Sequence, residues 1–180
     1  LPRASLLRFI QANLQRSKLA TAELFKAAQE KGVSVALVQE PYIILCTLNR
    51  QKPGKAAVVV FGDRLEVIHD PQLVTENVAA VFIKAGQLKL GLLSVYFEGD
   101  QDINPYLRRA KEVCGKMHTN NIIVAGDVNA WSQWWGSSLE DHRGAEYNTF
   151  LNEMDFQILN TGQVPTFETY RGDRLIVVQV

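Results

Sequence analysis

Cysteine is scarce in this sequence: Cys46 and Cys114 are the only two among 180 residues, they lie far apart, and neither belongs to a Cys-x-x-Cys pair. That excludes a disulfide framework and a zinc site of the usual spacing, and fits a reducing compartment. Charge of one sign is not in excess either. Nineteen Lys and Arg balance 19 Asp and Glu, so net charge points to no nucleic-acid or membrane partner and any basic footprint must be local. No stretch approaches the ~18 consecutive apolar residues of a membrane span, and no secretory leader pattern opens the chain. Internal repeats, low-complexity tracts and targeting-type Lys/Arg runs are absent. So are Gly-x-Ser-x-Gly, the phosphate-binding Gly-x-x-x-x-Gly-Lys loop and Gly-x-Gly-x-x-Gly, which argues against a serine-hydrolase elbow and the common nucleotide-binding turns.

What is present is an ordinary globular composition, 47% hydrophobic and 21% charged. A chain of this size buries about 70% of its unfolded surface, so residues 1–180 are expected to form one domain with a full core. The sequence starts at Leu1 rather than Met and stops at Val180 inside an apolar run, which reads as a piece of something longer.

Leu6 to Asn13 has the character of a short strand. Ser17 then precedes a helical pattern with Ala20, Leu24, Ala27 and Ala28 on one face, closed by Gly32. Val33 to Val38 reads as a strand buried on both faces, ended by Glu40 and Pro41. Strand-like pieces follow at Ala56 to Phe61, Leu65 to His69, Val78 to Ile83 and Leu88 to Phe97; with no helix between them, antiparallel pairing is expected. Ile103, Tyr106, Leu107, Ala110, Val113, Cys114 and Met117 mark a strong helix. Ile122 to Ala125 reads as a buried strand, Gly126 to Gly136 as a polar and aromatic loop, and Tyr147, Phe150, Leu151 and Met154 as a third helix face. Phe156 to Leu159 and Leu175 to Val180 are expected strands. The pattern is one mixed α/β domain.

Asn13, Glu40 and Asp127 each sit at the carboxyl end of an expected strand. Ligands of open α/β sheets bind there, so three such residues point to a common site, although each alone reads equally as a turn former or helix cap. Glu40, held rigidly at the end of a buried strand, suits a hard oxygen ligand for Mg²⁺; the bland alternative is a surface ion pair. Asp127 and Asn129, two residues apart, project the same way if the backbone stays extended. The acid can then orient a water and the amide can donate to charge developing on a phosphate, while an Asx turn is the plain alternative. Of three unclustered histidines, His69 and His118 read as structural, and only His142, in the polar stretch Ser137 to Gly144, is a candidate near a site. Trp131, Trp134 and Trp135 follow Asp127 and read as core, with packing against a sugar or base as the alternative. Arg3, Arg8, Arg16, Lys18, Arg50, Lys52 and Lys55 could supply local phosphate contacts or remain solvated.

Five ordered segments go further: Gln11-Ala-Asn-Leu-Gln15, Leu37-Val-Gln-Glu-Pro-Tyr42, Leu93-Ser-Val-Tyr-Phe-Glu98, Gly126-Asp-Val-Asn-Ala-Trp-Ser132 with Trp134-Trp-Gly136, and Leu159-Asn-Thr-Gly followed by Pro165-Thr-Phe167. In order and rough spacing, over nearly the whole chain, this set resembles the endonuclease domain of insect site-specific non-LTR retrotransposons. These belong to the exonuclease–endonuclease–phosphatase superfamily. The resemblance implies a two-sheet α/β sandwich flanked by helices, DNase I-like, with its site where the sheets' loops meet. By the same analogy Asn13 and Glu40 hold Mg²⁺, with Mn²⁺ as a substitute, Tyr96 contacts the scissile phosphate, Asp127 orients the attacking water and Asn129 supports the transition state. Double-stranded DNA would be nicked in the nucleus to leave a 3′-hydroxyl for a reverse-transcriptase domain downstream; the alternatives are a catalytically inactive remnant that binds nucleic acid weakly, or a phosphodiesterase of the same fold with a small substrate. The family also carries an Asp before a Thr and, later, a Ser-Asp-His; neither occurs before Val180, and Asp173 precedes Arg174 rather than His. A C-terminally truncated fold is therefore expected, and Ile43 to Gly54 is short against the family.

Overall fold

The computed structural model describes residues 6–42, 54–63, 65–160 and 177–179. Its elements run β1 Phe9–Asn13, α1 Lys18–Lys31, β2 Val35–Gln39, β3 Ala56–Val60, β4 Glu66–Ile68, β5 Val78–Ala85, β6 Leu88–Tyr96, α2 Asn104–Lys116, β7 Ile122–Asp127, α3 His142–Glu153 and β8 Val177–Gln179. The strands form two sheets, one ordered β1-β2-β3 and the other β4-β5-β6-β7-β8. β1 runs parallel to β2, and β6 parallel to β7, with Asn13 opposite Gln39 and Tyr96 opposite Asp127.

Period-two alternation decides which side chains meet between the sheets. Val35 and Leu37 of β2 pack there against Ile83, Leu90, Leu92, Ile123 and Ala125, with Phe9, Val58 and Val60 alongside. The opposite parity of the first sheet, Ala36 and Val38, meets Leu14 and Leu24 under α1. The outer face of the second sheet, including Ala80, Leu93, Val95 and Val124, is covered by Leu107, Ala110, Val113, Tyr147 and Leu151 of α2 and α3. The layers are helix, sheet, sheet and helices, the sandwich expected from the resemblance. Each fully buried Leu, Ile or Val contributes about 1.5–3 kcal/mol. Apolar burial between the sheets therefore fixes how their strand ends meet.

Local signals place the elements well. Ser17 caps α1, its Oγ accepting from Ala20 N at 3.1 Å, and Gly32 ends the helix in the left-handed region at φ 61°, a conformation cheap only for glycine. Three expectations change. β3 pairs antiparallel with β2 in the first sheet, so the antiparallel series β4, β5 and β6 begins one strand later. Phe156 to Leu159 contributes only an isolated bridge at Ile158, because its pattern is too short to specify a ladder. The loop expected from Gly126 is strand as far as Asp127, and Gln133–Trp135 forms a 3₁₀ turn. Most of Leu175 to Val180, the segment from Ile43 to Pro53, Pro165-Thr-Phe167 and Asp173 lie outside the described residues, as do Arg3, Cys46, Arg50 and Lys52.

Candidate active site

The layer between the sheets changes character along its length. Each contributing strand is apolar at its start and polar at its carboxyl end in the same parity: Phe9 then Gln11 and Asn13, Val35 and Leu37 then Gln39, Leu90 and Leu92 then Ser94 and Tyr96, Ile123 and Ala125 then Asp127. Because β1 parallels β2 and β6 parallels β7, four carboxyl ends gather at one edge of the sandwich.

A buried polar bridge supports them from below. Gln39 and Ser94 are fully buried; Gln39 Nε2 donates to Ser94 Oγ at 2.9 Å, and Ser94 Oγ donates to Val38 O at 2.9 Å. Gln11 Nε2 donates to Gln39 Oε1. Buried amides and hydroxyls must be satisfied, so these bonds set the relative height of the two sheets. Above them Asn13 Nδ2 donates to Asp127 Oδ2 at 3.0 Å, joining the ends of β1 and β7 across 114 residues of sequence.

Three of the four strand ends then turn sharply. Asn13 Oδ1 accepts from Gln15 N at 2.9 Å, and Gln15 and Arg16 both take positive φ, 48° and 54°. Glu40 follows β2 with φ 44°, a conformation that costs a non-glycine residue of order 1 kcal/mol and commonly marks a functional position. Its amide donates to Lys55 O at 2.7 Å and its carbonyl accepts from Arg16 N at 2.8 Å. The Glu40 side chain is one-fifth exposed, with Arg16 Nε at 3.8 Å, so the ion-pair reading is present in a loose form.

Asp127 ends β7, and the chain does not stay extended beyond it. Asn129 has φ 47°, and its amide donates to Asp127 Oδ1 at 3.1 Å, the Asx turn named above as the plain alternative. The two side chains therefore do not share a strand face. The Asn129 carboxamide donates to Phe97 O at 2.9 Å, which ties this turn to the residue after Tyr96.

Tyr96 is half-buried. Burial first, then the carboxylates of Glu40, Glu98 and Asp127, push its phenol above the ordinary range, with Lys55 opposing. Tyr96 therefore remains a neutral O–H donor with three carboxylates in its surroundings. Asn77 Nδ2 donates to Tyr96 O at 2.9 Å and to Glu98 Oε1 at 3.2 Å. Lys55 pairs with Glu98, and with Glu76 at 3.6 Å. The bond to Glu98 holds its ammonium protonated to higher pH than usual, against the opposing effect of burial.

Among the described residues no three His, Cys, Asp or Glu side chains could hold a metal by themselves. The oxygens that could hold one are instead those of the Glu40 carboxylate and the second lone pair of Asn13 Oδ1, with the Asp127 carboxylate bonded to Asn13 beside them. Mg²⁺ suits such a set, since it keeps several waters and takes one or two carboxylates plus substrate phosphate oxygens. The acidic surroundings of Tyr96 would repel a phosphodiester unless a cation intervened.

Other candidates fall elsewhere. His142 is the first residue of α3 rather than part of a loop; Asp141 caps the helix, and His142 is 81% exposed beside Glu146. His69 and His118 are exposed. Only Trp135 is core: it is 1% exposed, stacked edge-on to Tyr147, and donates from Nε1 to Ala130 O at 3.1 Å. Trp131 and Trp134 are about half exposed, at 49% and 48%. The sequence reading passed over Gln39, Ser94, Glu98 and Arg143. Strand parity could have singled out the first two, each being a polar residue at an inward position.

Residues 90–177 match the sequence family described as endonuclease-reverse transcriptase. The putative 115 kDa protein in type-1 retrotransposable element R1DM of Drosophila melanogaster is 31% identical over 192 residues, covering 96% of this chain and 19% of that protein. The RNA-directed DNA polymerase from mobile element jockey of Drosophila funebris is 30% identical over 121 residues, covering 65% of this chain and 12% of that protein. The chain thus spans under a fifth of the length of either relative. Among solved structures, the endonuclease domain of TRAS1, a telomere-specific non-LTR retrotransposon, matches with a TM-score of 0.89 and 42% identity over 97% of this chain and 84% of that one. The AP endonuclease LMAP of Leishmania major matches with a TM-score of 0.66 over 96% of this chain and 78% of that one, but at 12% identity, a likeness of fold alone.

Proposed function

Given that the chain belongs to the endonuclease domains of non-LTR retrotransposons, a family of phosphodiester-cleaving enzymes, we propose that it nicks one strand of double-stranded DNA and leaves a 3′-hydroxyl. The observation that carries this reading is the convergence of Asn13, Glu40, Tyr96 and Asp127 at four strand ends, two from each sheet, with Asn13 bonded to Asp127. Glu40 and Asn13 would hold Mg²⁺, or Mn²⁺ in its place. The ion would supply charge neutralisation at the phosphate, the role that acidic surroundings call for.

The rest falls to side chains. Asp127, held through both oxygens by Asn13 and the Asn129 amide, orients the attacking water. Tyr96, kept protonated by burial and the neighbouring carboxylates, donates a hydrogen bond from its hydroxyl to a phosphate oxygen. Asn129 supports the charge that develops there. Water adds to phosphorus and gives up a proton to solvent, the P–O3′ bond breaks to leave a 5′-phosphate, and the departing O3′ takes up a proton from solvent to become the 3′-hydroxyl. Trp131 and Trp134, presented outward just beyond Asn129, offer ring faces to a sugar or base of the same duplex.

The 3′-hydroxyl suits extension by a reverse transcriptase carried by the same polypeptide, as the retrotransposon relatives suggest, and chromosomal DNA as substrate implies action in the nucleus. No helix among the described residues is long and apolar enough to cross a membrane. The test is end chemistry: a labelled duplex incubated with the chain and Mg²⁺ should yield a strand that a DNA polymerase extends without prior phosphatase treatment. A product that extends only after phosphatase treatment would refute the proposed direction of cleavage.

A further inference from the structure

Arg143 lies in the first turn of α3, where a cation opposes the positive end of the helix dipole. Helix stability therefore does not explain it, and its contacts suggest what does. Nε donates to Asn129 O at 2.7 Å, Nη2 donates to Val128 O at 3.0 Å, and Nη1 donates to Gln101 O. All three guanidinium nitrogens thus point at main-chain carbonyls of two loops. One follows Asp127 at the end of β7; the other follows Tyr96 at the end of β6. Asn129 Nδ2 laces the same two loops together through Phe97 O.

The mounting of Arg143 is rigid. Asp141 Oδ1 accepts from Gly144 N at 2.6 Å and from Trp131 N at 3.1 Å, while Asp141 N donates back to Trp131 O at 3.0 Å. Gly144 packs so closely on this loop that a Cβ there would lie 1.9 Å from Trp131 O. The first turn of α3 is therefore fastened to the chain immediately beyond Asn129, and Arg143 reaches from it behind both strand ends.

We propose that Arg143 is a positioning residue: it holds the left-handed turn at Asn129, and with it Asp127 and Tyr96, in the geometry that cleavage requires. The inference rests on the endonuclease reading for its effect on rate, but not for its effect on the loop. A planar fork of fixed N–H donors fits three carbonyls on separate segments; a lysine ammonium, a single point at the end of a flexible stem, does not. With its fork directed into the chain, Arg143 is not the residue that grips a phosphate.

Two variants test this, Arg143→Lys, which keeps the charge, and Arg143→Gln, which keeps a planar donor; thermal melts identify the folded ones. With plasmid or duplex DNA, Arg143→Lys should lose ~10²-fold in kcat, as expected for an ångström-scale misplacement, with KM changed less than about threefold. The slope of log Kd against log salt should be unchanged. A phosphate contact would instead weaken binding and lower that slope by about one.

Amide hydrogen exchange provides a readout independent of catalysis. Residues 128–131 should exchange ~10-fold faster in either folded variant while the β6 and β7 amides remain protected. Wild-type exchange across 128–131 in Arg143→Lys would overturn the proposal, as would lost DNA affinity with a shallower salt slope. If the wild type fails to nick, the endonuclease reading falls, and the exchange result still decides whether Arg143 holds the turn.

Discussion

Replacing Gly126 by Ala should be far more costly than replacing Gly91 by Ala, although both are buried glycines on neighbouring parallel strands. A Cβ on Gly126 would lie 1.9 Å from Val95 O and 2.7 Å from Val95 Cγ2. The first of these is backbone of the adjacent strand and yields only if β6 and β7 separate by more than an ångström. A Cβ on Gly91 would meet Met117 Sδ at 2.6 Å, the far part of a flexible thioether that can rotate away. Overpacking into a side chain costs typically 1–3 kcal/mol, and forcing backbone apart costs more, so about 1 kcal/mol for Gly91→Ala and ~4 kcal/mol for Gly126→Ala are expected. With a urea m-value of about 2 kcal/mol/M, the denaturation midpoint should fall by ~0.5 M and ~2 M respectively. Urea titration followed by tryptophan fluorescence reads both. The β6–β7 spacing also sets Tyr96 opposite Asp127, so any Gly126→Ala protein that folds should nick DNA poorly. Equal midpoint shifts for the two variants would refute the claim that the close approach of these strands is rigid.

Tyr96→Phe removes an uncharged donor from the phosphate and should lower kcat ~10²-fold with little change in stability, measured by nicking rate and thermal melt. Asn13→Asp puts a second carboxylate where the amide now lies 3.0 Å from Asp127. A carboxylate cannot donate, so the bond that joins the ends of β1 and β7 is lost, and kcat should fall at least ~10-fold in nicking assays on folded protein. Burial pushes the Cys114 thiol up to about 12. Native protein then holds a proton that the unfolded chain releases near pH 9, so stability is full below that pH and declines as pH rises towards 12, by up to about 1.4 kcal/mol per unit. Cys114→Ala should reduce that alkaline slope by one proton's worth in urea midpoints measured against pH.

The sequence carried the strands, the helices and the strand-end polar residues because burial on a regular repeat leaves a pattern that one residue type after another can show. Asn13, Glu40 and Asp127 stood out because each interrupts an apolar run. Tyr96 did not: an aromatic at the end of a strand has the same periodicity whether it packs or binds, and only resemblance marked it. The start of α3 lies in the polar stretch Ser137 to Gly144, before the apolar period begins at Tyr147, so no periodicity marks it, and Gly144 there packs closely on Trp131 O. Strand parity marks Gln39 and Ser94 as inward polar positions, but their pairing, like the grip of Arg143 on two loops, joins separate segments, and no local pattern encodes such contacts. The three tryptophans show the limit of composition: Trp135 is core, while Trp131 and Trp134 are about half exposed.

The central claim is that four strand ends assemble a metal-dependent phosphodiesterase site, and its most direct test is the conversion of supercoiled plasmid to nicked circle by the purified chain. Nicking should require Mg²⁺, stop with EDTA, and be lost in Glu40→Ala and Asp127→Ala proteins whose melting curves show them folded. Nicking that persists in both variants would place the chemistry elsewhere. No nicking by the folded wild-type chain at saturating Mg²⁺ would contradict the claim outright.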